Sequence, residues 1–181
     1  QRRVELTPYS VGRAQAFRAE PGNPFRTGSR SSLFGGLDGK LGVTSDLTLD
    51  FTVNPDFGQV EADPSVVNLT AFETYYEEKR PFFIEGRNIL SFDMMGGDGD
   101  FSQDNLFYTR RIGRYPQRSV RSGDGAFVDM PESTSIIGAF KLTGKTHSGV
   151  SIGVIDALTS AEYADLSFSG LARREPVEPT T

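Results

Sequence analysis

Apolar and polar residues alternate along two neighbouring stretches, residues 37–43 and 47–54, which are separated by the short polar segment 44–46. Alternation with a period of two places every second side chain on the same face of an extended strand, so this arrangement predicts a β-hairpin. The arms have seven and eight residues, close to the roughly 9–11 residues of a tilted membrane-spanning strand. Seven apolar residues should share one face, directed to lipid or to an apolar core: Leu37, Leu41, Val43, Leu47, Leu49, Phe51 and Val53.

A second hairpin is predicted over residues 135–157, with its turn at 145–149. The small residues on one of its faces would suit a crowded or water-lined interior. The first arm should place on one face Ile136, Gly138, Phe140 and Leu142, and on the other Ile137, Ala139, Lys141 and Thr143. The return arm should place outward Val150, Ile152 and Val154, with Ser151, Gly153 and Ile155 on its opposite face.

Other segments have less regular patterns. Residues 3–13 predict a strand that Pro8 restricts to an edge or an interrupted strand, because proline has no amide hydrogen to donate. Residues 106–114 predict a strand leading into a long polar loop, residues 93–105 a loop rich in Gly and Asp, and residues 160–181 a loop-like tail.

The region between the two hairpins predicts a short helix over residues 67–79, followed by an extended apolar run at 80–84. Leu69, Phe72, Tyr75 and Tyr76 have helical spacing, and Asn68 is a suitable N-cap. A lipid-exposed wall of strands cannot contain a helix, because its backbone would lose the hydrogen bonds between strands. We therefore expect residues 54–86 to leave the wall and to fold inward as a plug or constriction.

Composition narrows the class of protein. The 181 residues include no cysteine, which excludes a disulfide framework and thiolate metal ligands, and the net charge of -5 gives no basic surface for nucleic acid. No stretch approaches the roughly 18 apolar residues of a membrane helix. The mean hydropathy of -0.36 is compatible with a membrane barrel, in which only alternate strand residues face lipid.

Together these patterns predict an all-β fold: a segment of an antiparallel, transmembrane-type β-barrel, built as a meander of hairpins with one short helical, plug-like insertion. Five or six strands are fewer than the roughly eight of the smallest single-chain barrels. We therefore expect residues 1–181 to form a single N-terminal portion of a β-barrel domain.

Several ordered motifs resemble one family. They are residues 54–64 (NPDFGQVEADP), 67–70 (VNLT), 78–86 (EKRPFFIEG), 107–114 (FYTRRIGR) and 138–146 (GAFKLTGKT). In this order they resemble the barrel domain of unknown function that follows a family-9-type carbohydrate-binding domain in many Gram-negative bacteria. The resemblance implies the outer membrane of a Gram-negative bacterium as the location, with outer-membrane lipid as a partner and a barrel that continues beyond this chain.

Charged residues in and after the predicted plug form the main candidate site. If the plug folds inward, arginines and glutamates would pair inside the lumen, where the arginine fork suits bidentate binding of carboxylates. The network would act as a selectivity filter for polar solutes or as a purely structural element. Its members are Arg80, Arg110, Arg111, Arg114, Glu73, Glu77, Glu78 and Glu85.

The weaker candidates also have plain structural explanations. Asp98, Asp100 and Asp104 place oxygen ligands as a calcium loop does, with Asp93 as a further ligand, although the segment departs from the EF-hand pattern; the alternative is an acidic surface loop. His147, the single histidine, falls in a predicted turn, and the chain has no G-x-S-x-G motif around a serine nucleophile. Carboxylates that are adjacent on a strand point to opposite faces, which makes them poor glycosidase pairs.

The sequence thus predicts a protein that is not an enzyme by itself, has no cofactor apart from the calcium candidate, and serves passage or surface handling of glycan-like or other polar molecules. One alternative is a soluble all-β carbohydrate-binding or periplasmic interaction module. Another is part of a glycoside-acting enzyme.

Overall fold

The computed structural model describes residues 3–55, 76–90, 107–121, 123 and 125–181. Within these ranges the chain is mostly β, with two open antiparallel sheets and only short helices, and neither sheet closes into a barrel. The five-stranded sheet has the order β1-β2-β3-β5-β6, and the three-stranded sheet has the order β4-β7-β8. The strands are β1 (Val4–Ala16), β2 (Ser29–Gly42), β3 (Leu47–Val53), β4 (Phe127–Asp129), β5 (Ile136–Lys145), β6 (Ser151–Thr159), β7 (Glu162–Phe168) and β8 (Leu171–Glu178).

The first predicted hairpin is confirmed as β2 and β3. In its register, Leu37 lies opposite Val53 and Leu41 lies opposite Leu49. Beyond the last register pair, the amide of Val43 donates to the carbonyl of Leu47 at 2.9 Å. Residues directly opposite each other in an antiparallel pair share a face, so the seven apolar residues do lie on one side of the sheet.

The second hairpin is confirmed as β5 and β6, but the predicted faces of its first residues are wrong. Ile136 lies opposite Thr159 and Gly138 opposite Leu158, so Ile137 is an extra residue in a β-bulge. A bulge reverses the alternation on one side of itself. Ile136 therefore joins the covered face and is 4% exposed, whereas Ile137 is 46% exposed.

The N-terminal strand is also confirmed, and it is longer than predicted. Pro8 lies within β1 opposite Leu37. Since β1 pairs only with β2 among the described strands, Pro8 occupies an edge strand, where its missing amide hydrogen costs no central hydrogen bond.

The two faces of the five-stranded sheet have opposite polarity. One face, here called the outward face, carries mostly apolar side chains that are half-exposed or exposed, with Asp156 as a charged exception. The other, here called the covered face, buries polar side chains: Lys141 is 0% exposed and Thr52 is 2% exposed. The apolar residues of the outward face include Val4, Leu6, Leu33, Leu37, Leu41, Val43, Leu47, Leu49, Phe51, Val53, Phe140, Leu142, Ile152, Val154 and Leu158.

Two predictions for the segment between the hairpins, one helical and one extended, need correction. Residues 76–80 are not helical, and the rest of the helix predicted at 67–79 lies outside the described residues. The run expected to be extended instead forms α1 (Pro81–Ile84), followed by α2 (Arg87–Leu90). Pro81 occupies the first turn of α1, where its fixed φ suits a helix and its missing amide hydrogen is not needed.

Residues 107–114 do not form the predicted strand. A 3-10 helix spans Thr109–Arg111 instead. The hydroxyl of Tyr108 accepts a hydrogen bond from the amide of Tyr76 at 2.7 Å and donates to the carbonyl of Tyr76 at 3.1 Å. This segment is therefore held against the residues before α1, and not within a sheet.

The tail predicted to be loop-like instead forms the hairpin of β7 and β8. Its two-residue turn, Ser169 and Gly170, has positive φ at both positions, as turns that match the twist of β-hairpins require. The serine-glycine pair was the sequence signal for this turn. Pro176 lies in β8, an edge strand of its sheet in the described part of the chain.

In the part of the chain that the structure describes, the main apolar core is small. It consists of Phe83, Ile136 and Ala139, with Phe82, Ile112, Ile155 and Ala157 packed around them. It joins α1 to the covered face of the sheet. Among the described residues, no helix has both the length and the apolar character needed to cross a membrane.

Candidate functional site

Residues 76–90, here called the overlying segment, lie on the covered face of the five-stranded sheet. Helix α1 contacts β3, and α2 contacts β6. The contact with β6 is close because Gly153 has no side chain: a Cβ at this position would lie 2.7 Å from Leu90 Cδ2. The polar face of the second hairpin, with its small residues, thus provides the surface on which α2 rests.

Lys141 fixes the overlying segment to the sheet. Its ammonium group donates to the carbonyl oxygens of Phe82 and Glu85, both at 2.6 Å. It also lies 4.9 Å from the centroid of the Phe82 ring and 3.6 Å from Asp50 Oδ2. A fully buried lysine is costly unless its charge is compensated, and here two carbonyls, a ring face and a carboxylate surround it.

Asp50 lies between two lysines on three adjacent strands. Lys40 is opposite Asp50 in the pairing of β2 with β3, and Lys141 is opposite Asp50 in the pairing of β3 with β5. Lys40 Nζ is 3.7 Å from Asp50 Oδ1, a buried atom with no hydrogen-bond partner in the described part of the chain. Lys40 also forms an ion pair with Glu85 of the overlying segment. A continuous row of charges thus runs from Lys141 through Asp50 and Lys40 to Glu85.

The pair of Lys40 and Glu85 forms the more exposed end of this row. The hydrogen bond from Lys40 lowers the pKa of the Glu85 carboxyl below its usual value. The side chains of Lys40 and Glu85 are 36% and 58% exposed, so water screens this ion pair and it adds little to stability. The buried end of the row, at Asp50 and Lys141, is the part whose charges must be compensated within the protein.

A second buried pair joins the overlying segment to the 3-10 helix. Arg80 binds both carboxylate oxygens of Glu78: Nε donates to Oε1 and Nη2 donates to Oε2, each at 2.7 Å. Arg80 also donates to the carbonyls of Ile112 at 2.7 Å and Thr109 at 2.8 Å, and its guanidinium lies 4.2 Å from the centroid of the Phe83 ring. Bidentate pairing of this kind is the strong form of an arginine–carboxylate contact.

Glu78 is ionised in this setting. Burial by itself would raise the pKa of Glu78, but the hydrogen bonds and charge of Arg80, together with the hydroxyl of Thr109, outweigh it and lower the pKa below its usual value. Both side chains of the pair are at least nine-tenths buried, with 5% of the Arg80 side chain and 3% of the Glu78 side chain exposed.

The described residues show where most members of the predicted charge network lie. Glu78 pairs with Arg80, and Glu85 pairs with Lys40. The guanidiniums of Arg110 and Arg111 each lie 6.0 Å from a tyrosine ring centroid, that of Tyr76 and that of Tyr108 respectively. Arg114 accepts hydrogen bonds from Thr134 through its backbone carbonyl, Glu77 directly precedes Glu78, and Glu73 lies outside the described residues.

Sequence reasoning missed Lys40, Asp50 and Lys141 as members of the site. The signal was present, because all three occupy polar positions in the alternating arms of the two hairpins. Their contact depends on the pairing of β3 with β5, strands that are distant in the chain, and on the register of that pairing.

The two remaining candidates are the single histidine and the calcium loop. The side chain of His147 is 83% exposed and its Nδ1 contacts Asp46, which links the turn after β5 to the turn after β2. Within the described ranges, no group of three or more His, Asp or Glu side chains is placed to hold a metal ion. Asp93, Asp98, Asp100 and Asp104 lie outside those ranges, so the calcium site stays a prediction.

Comparison with known proteins gives one match. The family model described as a domain of unknown function, DUF5916, matches residues 1–181. No significant match was found among curated proteins or among solved structures.

Proposed function

We propose that this chain, which belongs to the DUF5916 family, forms part of the wall of an outer-membrane β-barrel in a Gram-negative bacterium, with its overlying segment inside the lumen. In this proposal the barrel serves passage or surface handling of glycan-like or other polar molecules. The chain itself has no catalytic role.

The observation that carries the proposal is the polarity of the five-stranded sheet. A sheet of a water-soluble protein packs its apolar face inward and exposes its polar face. Here the covered face buries Lys141, Asp50 and Thr52, while the outward face exposes Phe140 and Val154 at 42% and 48%. An apolar exterior and a polar interior are typical of barrels that contact lipid.

A barrel wall must accommodate two further features of the sheet. Asp156 is the charged exception on the outward face, and an acidic residue on a lipid face costs less than a basic one. In the described part of the chain, β1 and β6 each pair on one side only. Since an unpaired edge is costly in lipid, the proposal requires additional strands that pair with β1 and β6.

The overlying segment would narrow the lumen. Arg80, within the segment, donates to backbone carbonyls in and after the 3-10 helix. Lys141, on the sheet, donates to two backbone carbonyls of the segment. The segment would therefore be a fixed constriction. Charged rings and constrictions select polar solutes by sign and size. The half-exposed pair of Lys40 and Glu85 is the part of the charge row that a passing solute would meet.

Fluorescence of the full-length protein in phospholipid vesicles tests the location of the outward face. The chain contains no tryptophan, so Phe51→Trp adds a single tryptophan on that face, and the spectrum of the parent protein is subtracted. The tryptophan emission should be quenched by lipids with brominated acyl chains and should resist quenching by aqueous iodide. Tyr115→Trp, at a residue 54% exposed outside the sheet, is the matched control and should respond to iodide.

Iodide quenching of the Phe51→Trp reporter without bromolipid quenching would contradict the barrel. A full-length protein that stays soluble without detergent would instead favour the soluble carbohydrate-binding or periplasmic interaction module. Swelling of protein-containing liposomes in neutral and charged oligosaccharides tests passage. Rates that equal those of empty liposomes would rule passage out, and release of reducing sugar ends from a polysaccharide would indicate the glycoside-acting alternative.

A further inference from the structure

An open cavity of about 620 Å³ lies between residues 117–121 and the edge strand β8. Two contacts hold this segment beside the strand: the amide of Arg118 donates to the carbonyl of Val177 at 3.3 Å, and the amide of Gln117 donates to Glu178 Oε2 at 2.9 Å. Val177 and Glu178 are buried. The end of β8 that borders the cavity is therefore held in place by packing and hydrogen bonds.

The cavity is strongly basic within an acidic chain. Four arginines line it, and Glu175 is the only acidic residue among its lining residues in the described part of the chain. The formal net charge of the whole chain is -5, so the arginines are concentrated here against the general trend. The four are Arg118, Arg121, Arg173 and Arg174.

The arginines are accessible to a ligand. Arg173 is 3.2 Å from Glu175, and Arg174 is 3.2 Å from Asp165, but both arginine side chains are more than two-thirds exposed. Ion pairs this exposed contribute little to stability, so a bound anion can compete with them. The described residues include no ion pair for Arg118 or Arg121, and both side chains belong to exposed residues.

We propose that this cavity binds a solute carrying two or more oxyanion groups, phosphate or carboxylate, on a scaffold the size of a short glycan. Guanidinium groups match such anions through paired N–H donors. Arg173 and Arg174 are adjacent on β8, so their side chains point to opposite faces of the strand. At most three of the four guanidinium groups can therefore face one ligand, which suits a ligand with more than one anionic group. The proposal does not depend on the membrane location of the sheet, because the cavity lies on the second sheet.

Calorimetric titration of the full-length protein with tripolyphosphate and with trigalacturonate tests the site, with neutral maltotriose as the control solute. At least one anion should bind, and its affinity should fall as salt increases. The double variant Arg118→Gln/Arg121→Gln should weaken binding by about tenfold or more, since each lost charged hydrogen bond corresponds to about tenfold. Arg26→Gln removes an exposed arginine outside the cavity and should bind as the parent does.

The two anions distinguish the sources of the ligand. Binding of tripolyphosphate alone indicates a phosphorylated compound, and binding of trigalacturonate alone indicates an acidic glycan. Absence of heat with both anions at millimolar concentration would overturn the proposal. Equal affinities of the double variant and the Arg26→Gln variant for the anion would also overturn it. Circular dichroism establishes beforehand that both variants are folded.

Discussion

Asp50 and Lys141 lie opposite each other on β3 and β5, and the Asp50 carboxylate is 3.6 Å from the buried Lys141 ammonium group. Removal of one partner from a buried ion pair leaves an uncompensated charge in the interior. Lys141→Met should therefore lower the free energy of unfolding by about 3–5 kcal/mol, measured by chemical denaturation. Lys145→Met, at an exposed position on the same strand, should cost much less.

The double variant Asp50→Leu/Lys141→Met provides a second test of this pair. Replacing both charges with apolar residues of similar volume is often neutral or stabilising, so the double variant should recover much of the loss. A Lys141→Met variant as stable as Lys145→Met would show that the buried lysine does not hold the overlying segment.

The pair of Glu78 and Arg80 predicts that the stability of the folded protein decreases at acidic pH. The pKa of Glu78 is lowered in the folded protein, so its contribution to stability is fully present above its unfolded value of about 4.5 and is lost as pH falls through the folded value. Glu78→Gln should lower the stability at neutral pH and flatten the decline below about pH 4.5. Denaturation midpoints at several pH values measure this, and Glu132→Gln, an exposed control, should follow the parent curve.

The outward face predicts a penalty for a cation at its centre. Leu49 lies within β3 on that face, and arginine near the middle of a lipid-facing strand costs about 2–4 kcal/mol. Leu49→Arg should therefore reduce the stability of the folded protein in lipid vesicles by that amount. Ser45→Arg, in the exposed turn between β2 and β3, should have almost no effect, and equal effects of the two variants would argue against contact with lipid.

Gly144 predicts a steric effect without any change of charge. A Cβ at Gly144 would lie 1.9 Å from the carbonyl oxygen of Asp46, a backbone atom that cannot move without shifting the neighbouring turn. Gly144→Ala should cost about 1–3 kcal/mol, as overpacking does. Gly12→Ala is the matched control, because no atom lies within 4 Å of its added Cβ; similar melting temperatures would contradict the register of β3 and β5.

Local patterns predicted the strands well where alternation was unbroken. The β2–β3 hairpin and the outward positions of Ile152 and Val154 follow from a period of two. The bulge at Ile137 could not be predicted. An apolar residue suits either face of the sheet, so the sequence does not show which residue of the strand is the extra one. The pattern around Pro81 predicts an extended segment, because a four-residue helix has too few positions to show a helical period.

The site was less predictable than the strands. The sequence identified Glu78, Arg80 and Glu85 as charged residues of an inward segment, but their partners depend on tertiary structure. Asp50 and Lys141 are brought together only by the pairing of strands that are far apart in the chain. No local period encodes such a pairing.

The pairing of β3 with β5 also affects how freely the intervening segment can vary in length. Val53 lies opposite Gly138 although more than eighty positions separate them in the chain, so this contact closes a very long loop. The entropy lost on closing a loop grows only with the logarithm of its length, and doubling the length costs about 0.6 kcal/mol. The segment between β3 and β5 can therefore be longer or shorter at little cost in free energy to the sheet, provided that the contacts of Arg80 and Lys141 are retained.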